Sequence, residues 1–110
     1  MGYDQHLADR IRELLETEPD VTERSMFGGL AFLVAGNMAV AANSKGTLMV
    51  RAGAERADEL LDAPGTSIVV MRNRPMSGWL DVDANHLATP LQLETWLDVG
   101  VSFARTLPAK

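Results

Sequence analysis

The stretch Leu30–Ala42, with the sequence LAFLVAGNMAVAA, decides the fold of this chain. Two apolar runs of strand length lie on either side of the pair Gly36-Asn37. Such a pair suits a two-residue type II′ turn, because glycine takes the positive φ angle at the first central position. The stretch therefore predicts a β-hairpin in which Ala35 faces Met38 across the turn.

Both faces of the predicted hairpin are apolar, since side chains alternate between the two sides of a strand. Burying apolar surface is worth roughly 25 cal/mol per Å², so neither face is left to water at low cost. We expect helices to cover one face and a partner, most simply a second copy of the chain, to cover part of the other. One face is predicted to carry Leu30, Phe32, Val34, Ala39 and Ala41, and the other Ala31, Leu33, Ala35, Met38, Val40 and Ala42.

The segments around the hairpin alternate between helical and strand patterns. Apolar residues recur at helical spacing from Asp4, a suitable N-cap, to about Glu18, and predict an amphipathic helix. Residues 21–26 fit either a short strand or an extended lead-in to the hairpin. Beyond the hairpin, the patterns predict a strand over Thr47–Ala52, a short helix over Gly53–Asp62, and strands over Ser67–Met71 and Gly78–Val82 that flank a loop over 72–77.

The last helix has the clearest start signal. Thr89 is an N-cap residue, Pro90 occupies the first helical position, and Gln92 completes a capping box three residues after the cap. Gly100 lies within the apolar stripe of this helix, where it either admits a close backbone neighbour or weakens the helix locally. Pro108 ends the helix.

Together these elements predict an α+β fold, a two-layer arrangement of an antiparallel sheet with helices. The order is helix, three or four strands, helix, two strands, helix. The chain has 110 residues, of which 46% are hydrophobic and 23% charged, as is ordinary for a globular domain. We expect one domain over residues 1–110, because no composition shift or repeat marks a boundary.

Charge and cysteine content narrow the classes of function. The net charge is −5, so the long-range field repels phosphate backbones and makes direct nucleic-acid binding an unfavoured hypothesis. The absence of cysteine excludes disulfides and thiolate chemistry, and no signal-like segment opens the chain. The apolar stretch 28–42 is too short to span a bilayer. We therefore expect a cytoplasmic protein.

No motif in the sequence predicts catalysis, a metal site or a cofactor. Asp81-Val82-Asp83 resembles the start of a calcium loop, but His86 stands where such a loop needs glycine. His6 and His86 are far apart in sequence and lack the partners of a zinc or catalytic motif. We therefore expect a protein that is not an enzyme.

Two groups of residues remain as candidate ligand or partner surfaces. Arginines near the sheet end could form an anion site beside tryptophan, or could be solvated surface residues. Methionine and aromatic side chains next to glycine could form a contact surface, or could be residues packed into the protein at turns. The candidates are Arg51, Arg72, Arg74 and Trp79 in the first group, and Met26, Phe27, Gly28, Gly29 and Met76 in the second.

Five motifs follow one another along the chain: 26–32 (MFGGLAF), 36–38 (GNM), 48–51 (LMVR), 74–79 (RPMSGW) and 103–108 (FARTLP). In this order and spacing they resemble the TfoX N-terminal domain family. The resemblance implies a two-layer α/β fold like that of secretion chaperones, and it implies no catalytic residue. Better-known members are regulators of natural competence that act with transcription factors and carry a second, helical C-terminal domain; this chain is expected to be a stand-alone member without it.

Two functions are predicted from this reasoning. The leading hypothesis is a non-enzymatic protein-interaction or regulatory module that binds itself, as a homodimer, or another protein. The alternative is a small-anion or metabolite-binding domain, with weak enzymatic activity as an open question, built on Arg51, Arg72, Arg74 and Trp79.

Overall fold

A computed structural model describes residues 4–26, 28–71 and 73–110 of the chain. Within these residues, one six-stranded antiparallel sheet is combined with three α-helices, which confirms the predicted α+β class and element order. The elements are α1 (Gln5–Leu14), β1 (Val21–Met26), β2 (Gly29–Val34), β3 (Asn37–Ala42), β4 (Leu48–Arg51), α2 (Ala54–Leu60), β5 (Thr66–Met71), β6 (Arg74–Val82) and α3 (Pro90–Arg105).

The strands lie in the order β1-β2-β3-β4-β6-β5, so β1 and β5 form the two edges of the sheet. Helix α3 packs across β3 and β4, and α1 packs beside it. A Cβ atom built on Gly100 would overlap the carbonyl oxygen of Ala39. Gly100 therefore admits a close backbone neighbour, which is one of the two roles that the sequence predicted for it.

Both predicted caps are present. The Asp4 side chain accepts hydrogen bonds from the first turn of α1. At α3, Thr89 and Gln92 form the reciprocal capping box, with Pro90 at the first helical position. These local signals are read correctly from sequence because every partner lies within one helical turn.

The turn of the central hairpin differs from the prediction. Ala35 and Gly36 are its two central residues, with φ angles of 51° and 85°, and Val34 pairs with Asn37. Positive φ at both central positions is the type I′ geometry rather than type II′. Remote contacts hold this turn, because Asn37 Nδ2 donates to the carbonyl of Pro108 and the Lys110 amide donates to that of Ala35.

The predicted faces of β3 are also wrong beyond Ala39. The register shifts between Phe32 and Leu33, so that Leu33 pairs with Met38 but Phe32 pairs with Val40. Ala39 is the extra residue of this bulge, and it changes which side chains face which side of the sheet. As a result Val40 and Ala42 join Ala39 under the helices, while Ala41 faces the other side.

The end of α1 and the start of β6 differ from the sequence prediction, and one alternative left open is settled. Helix α1 ends at Leu14, not near Glu18, because a turn that includes Asp20 at a φ of 65° leads into the next strand. Residues 21–26 form a strand, which settles the alternative left open for them. Strand β6 begins at Arg74, so most of the predicted loop over 72–77 belongs to a hairpin closed tightly at Asn73.

Two apolar clusters lie on opposite faces of the sheet. The helix-covered face holds the larger cluster, which includes Phe32, Leu48, Val50 and Leu80. The helix-free face holds a second buried cluster, against which Met38 and Met76 pack. Side chains of this chain itself therefore cover part of the second hairpin face. The buried members of the second cluster are Ala31, Leu33, Ala41, Met49, Val69 and Trp79.

Candidate functional site

A groove of about 490 Å³ lies on the helix-free face of the sheet. We call it the sheet groove. Small residues, Gly29 and Ala41, lie among much larger apolar lining residues on neighbouring strands, which leaves an open volume. The lining residues are Gly29, Met38, Ala41, Ala42, Asn43, Ser44, Lys45, Met49, Ser67, Ile68, Val69, Val70, Met76, Trp79 and Asp81.

An irregularity in β6 shapes one wall of the groove. Ile68 of β5 pairs with Leu80, whereas Val70 pairs with Pro75, so one residue of β5 lies opposite four residues of β6. Gly78, with a φ of 88°, belongs to this bulge, and its carbonyl accepts hydrogen bonds from the chain that leaves β4. Bulges of this kind bend a strand and redirect side chains. Here the bulge contains Met76 and Trp79, which line the groove.

One end of the groove is polar, and its central group is Asp81. Thr47 Oγ1 donates to Asp81 Oδ1, and Asn43 Nδ2 donates to the same oxygen at 3.3 Å and to Thr47 Oγ1 at 2.6 Å. The side-chain oxygen Oδ1 of Asn43 accepts hydrogen bonds from the backbone amides of Lys45 and Thr47. The half-buried Asp81 carboxylate is therefore fixed in position by the turn between β3 and β4.

Arg51 and Trp79, both predicted site residues, are brought together. They are direct neighbours on β4 and β6, and the Arg51 guanidinium carbon lies 6.0 Å from the centre of the Trp79 ring. It lies 5.3 Å from the ring of Phe103 on α3. Cation–π contacts of this type stabilise an arginine without a carboxylate partner.

Arg74 is placed elsewhere. It is exposed at the tip of the β5–β6 hairpin, five positions from Trp79 along β6. Its partner Met71 lies three positions along β5 from Ile68, the partner of Leu80, and three positions of an extended strand span about 10 Å. Arg74 and Arg51 therefore do not converge on one point, and Arg72 lies outside the described residues.

Gly29, one of the candidates near the start of β2, has a packing role. Met26 pairs with Gly29, and a Cβ atom on Gly29 would overlap the carbonyl oxygen of Ala42. Gly28 adopts a φ of 76° in the preceding turn. Gly29 also lines the sheet groove, so this position serves both packing and the groove. Phe27 lies outside the described residues.

Edge strand β5 is a feature that sequence reasoning missed. The described part of the chain has three exposed large hydrophobic residues, and two of them, Ile68 at 52% and Val70 at 59% exposure, lie on β5. The third is Leu91, at the start of α3. The sequence shows that Thr66–Met71 contains no charged residue. Nothing in the neighbouring sequence indicates that this strand lies at an edge of the sheet.

Titratable residues are dispersed over the described residues. No group of three or more His, Asp or Glu side chains within 4–26, 28–71 and 73–110 is arranged to hold a metal ion. His6 is exposed on α1, and His86 lies against Gly65 in the turn after β6. Neither histidine lines the sheet groove. None of the helices in the same ranges has the length and hydrophobicity needed to cross a membrane.

The fold and the groove define a small single-sheet α+β domain with one helix-free face. The family model of the TfoX N-terminal domain matches residues 13–104, and the chain belongs to this family. The family indicates a module of the regulatory-domain type. No curated protein matches the chain, and no solved structure matches it.

Proposed function

We propose that this chain is a non-enzymatic protein-interaction module of regulatory type, and that it associates through edge strand β5 with β5 of a second copy. An edge strand presents unpaired backbone N–H and C=O groups that accept another strand. The observation that supports β5 as this edge is its pair of exposed apolar residues, Ile68 and Val70.

The position of these two side chains favours strand addition over a loose hydrophobic contact. Ile68 pairs with Leu80 on the helix-covered side of the sheet, where Ala57 of α2 and its C-cap residue Leu61 lie nearby. Helix α2 contacts β6 more than β5. A strand added beyond β5 would place its own side chains beside Ile68 and Val70 and extend this apolar surface.

Self-pairing suits the sequence of β5. In an antiparallel pair centred on Val69, Ile68 of one copy lies opposite Val70 of the other, on the same face of the joined sheet. β-Branched residues in direct cross-strand pairs are favourable. Because Thr66–Met71 contains no charged residue, a two-fold contact brings no like charges together.

The polar groups of the sheet groove are consistent with binding without catalysis. Asp81, Thr47 and Asn43 hydrogen-bond to one another, and both histidines lie outside the groove. No acid–base pair in the groove is placed for proton transfer among the described residues. This arrangement supports the non-enzymatic part of the proposal.

The test is the molar mass in solution, measured by sedimentation velocity over a concentration series up to high micromolar. We expect the unaltered chain to shift from monomer to dimer, and Val70→Lys to remain monomeric because two lysines would face apolar positions. Leu91→Lys is the matched control, since it adds the same charge at another exposed apolar residue, and it should dimerise normally. A monomeric unaltered chain at every concentration would overturn the proposal.

A further inference from the structure

The sheet groove has the size and lining of a small-molecule site. Its volume of about 490 Å³ falls within the roughly 300–1,000 Å³ of known ligand pockets. Met38, Met49 and Met76 line it together with Trp79. Methionine side chains are flexible and polarisable, so they adapt to ligands of different shape.

The open volume has a structural cause. Ala41 of β3 pairs with Met49 of β4, which in turn pairs with Asp81 of β6, so a small, a long and a charged residue follow one another across the sheet. The short side chain of Ala41 leaves room above the sheet, and Gly29 leaves more beside it. A larger residue at position 41 would fill this room.

Asp81 provides a fixed acceptor at the polar end. Its Oδ1 atom accepts from Thr47 and Asn43, while its Oδ2 atom has no hydrogen-bond partner within the described ranges. A carboxylate oxygen held at the end of an apolar groove is a strong acceptor for a charged N–H donor. The free oxygen therefore favours a ligand that carries an ammonium group.

Asp81 and Lys45 are the charged residues of the groove lining, and the Arg51 guanidinium lies near the ring of Trp79. Lys45 also lines the groove, but it is exposed, and an exposed lysine contributes little to a specific ion pair. The whole chain has a net charge of −5, which raises the local concentration of cations. An anionic ligand would instead meet the fixed carboxylate of Asp81.

From this geometry we propose that the sheet groove binds a small organic ammonium compound. Its apolar body lies against Met38, Met49 and Trp79, and its ammonium group donates to Asp81 Oδ2. The proposed ammonium contact at Asp81 does not involve β5, although Ile68 and Val70 of the proposed dimer edge also line the groove.

The probes are phenethylamine, 2-phenylethanol and 3-phenylpropionate, which share an aromatic body and differ in head group. Titration calorimetry or NMR shift titration measures each affinity. We expect the amine to bind about ten- to hundredfold more tightly than the alcohol, which is the range for a hydrogen bond to a charged group. The carboxylate should bind more weakly than either.

Asp81→Asn removes the charge but keeps an oxygen that accepts from Thr47. It should weaken phenethylamine binding about ten- to hundredfold and leave 2-phenylethanol unchanged. Asp98→Asn is the control, because it makes the same charge change at an exposed position on α3. It should not alter either affinity.

Ala41→Leu tests the groove by filling it, and should weaken the amine and the alcohol alike. A cooperative thermal transition close to that of the unaltered chain shows that the variant is folded; if it does not fold, the Asp81 and Asp98 variants decide. Equal affinity for all three probes, equal effects of the two Asp→Asn changes, or unchanged binding to folded Ala41→Leu would overturn the inference. Amine binding to the unaltered chain at a concentration where sedimentation shows only monomer would separate this result from the dimer proposal.

Discussion

The two edges of the sheet differ in charge. Edge β1 exposes a polar run over 22–25, and its Glu23 carboxylate accepts two hydrogen bonds from the Arg12 guanidinium, at 2.8 and 2.9 Å. Edge β5 has no charged residue and exposes Ile68 and Val70. The same sheet thus ends in a charged edge on one side and an uncharged edge on the other.

Charge is one of the devices by which natural proteins stop edge strands from pairing with other chains. Strand β1 has charged side chains that hinder such pairing, and strand β5 has none. An unprotected edge in a folded domain is either a hazard or a contact surface, and two apolar side chains on one side of β5 fit a contact surface. This difference is the basis of the dimer that we propose, and the predictions below are designed to remove it or to measure it.

The largest expected effect is a covalent crosslink. The chain contains no cysteine, so Val69→Cys introduces a single thiol at the centre of the proposed strand pair. Directly opposed residues in an antiparallel pair have Cα atoms about 4.5–5.5 Å apart, within the range that a disulfide spans. We expect nearly complete disulfide-linked dimer under mild oxidation, measured by non-reducing gel electrophoresis.

Thr22→Cys is the matched control for the crosslink, because it places an exposed thiol on the charged edge. It should crosslink only slowly and in proportion to concentration. Equal crosslinking of the two variants would show that β5 has no special role.

Removing the charges of β1 should make the two edges alike. In the double variant Glu23→Val with Arg24→Val, both edges of one sheet can accept a strand. Copies can then add at either edge, so assembly continues beyond the dimer. We expect species larger than dimers at concentrations where the unaltered chain forms none, detected by light scattering. Glu94→Val on α3, an exposed acid away from both edges, should leave the mass distribution unchanged.

Gly29→Ala should loosen the charged edge without touching β5. The added methyl group would overlap the carbonyl of Ala42, and overpacking of this kind costs about 1–3 kcal/mol of unfolding free energy. The measurements are chemical denaturation and hydrogen exchange, with the greatest loss of protection expected in β1 and β2. Gly46→Ala is a comparison of a different kind, since a Cβ atom there meets no neighbour within 4 Å and its cost comes from the positive φ of 83°.

The smallest effect concerns the acid that protects β1. Hydrogen bonds from Arg12, aided by its positive charge, hold the pKa of Glu23 below its ordinary value of 4.5, although partial burial acts in the opposite direction. Because the folded pKa is lowered, the stabilisation is present above pH 4.5 and is lost as the pH falls through the folded pKa. For such an exposed pair it amounts to about 0–1 kcal/mol.

Glu23→Gln should therefore lower the unfolding free energy slightly at pH 7 and leave it unchanged at a pH well below 4.5. The comparison requires denaturation curves of both proteins over the acid range. Glu13→Gln, an exposed acid on α1, serves as the control. A difference that does not shrink in acid would contradict this role of the Arg12–Glu23 pair.

Sequence reasoning succeeded where the determining partners are close along the chain. The capping box of Thr89 and Gln92 and the N-cap Asp4 are both confirmed. The prediction of the hairpin turn type was wrong for the opposite reason. Asn37 donates a hydrogen bond to the carbonyl of Pro108, which is 71 positions away. The bulge at Ala39 then reversed the faces of Val40, Ala41 and Ala42, which no alternation pattern reveals.

The candidate site was predicted only in part. Met76, Gly29 and Trp79 were singled out from sequence, and they line the groove. The role of Asp81 was missed, because its neighbours Thr47 and Asn43 belong to a turn that lies 34 and 38 positions earlier in the chain. Arg74 was placed with Arg51 by assuming a loop where the structure has a strand.

The sequence alone determined which segments become helices and strands, in what order, and how the helices begin, because periodicity and caps act over a few neighbouring residues. Only the tertiary structure decided which strands become edges and which side chains meet in the groove. Strand order is set by pairings between distant segments, so Thr66–Met71 becomes an exposed edge only when β6 lies between it and β4.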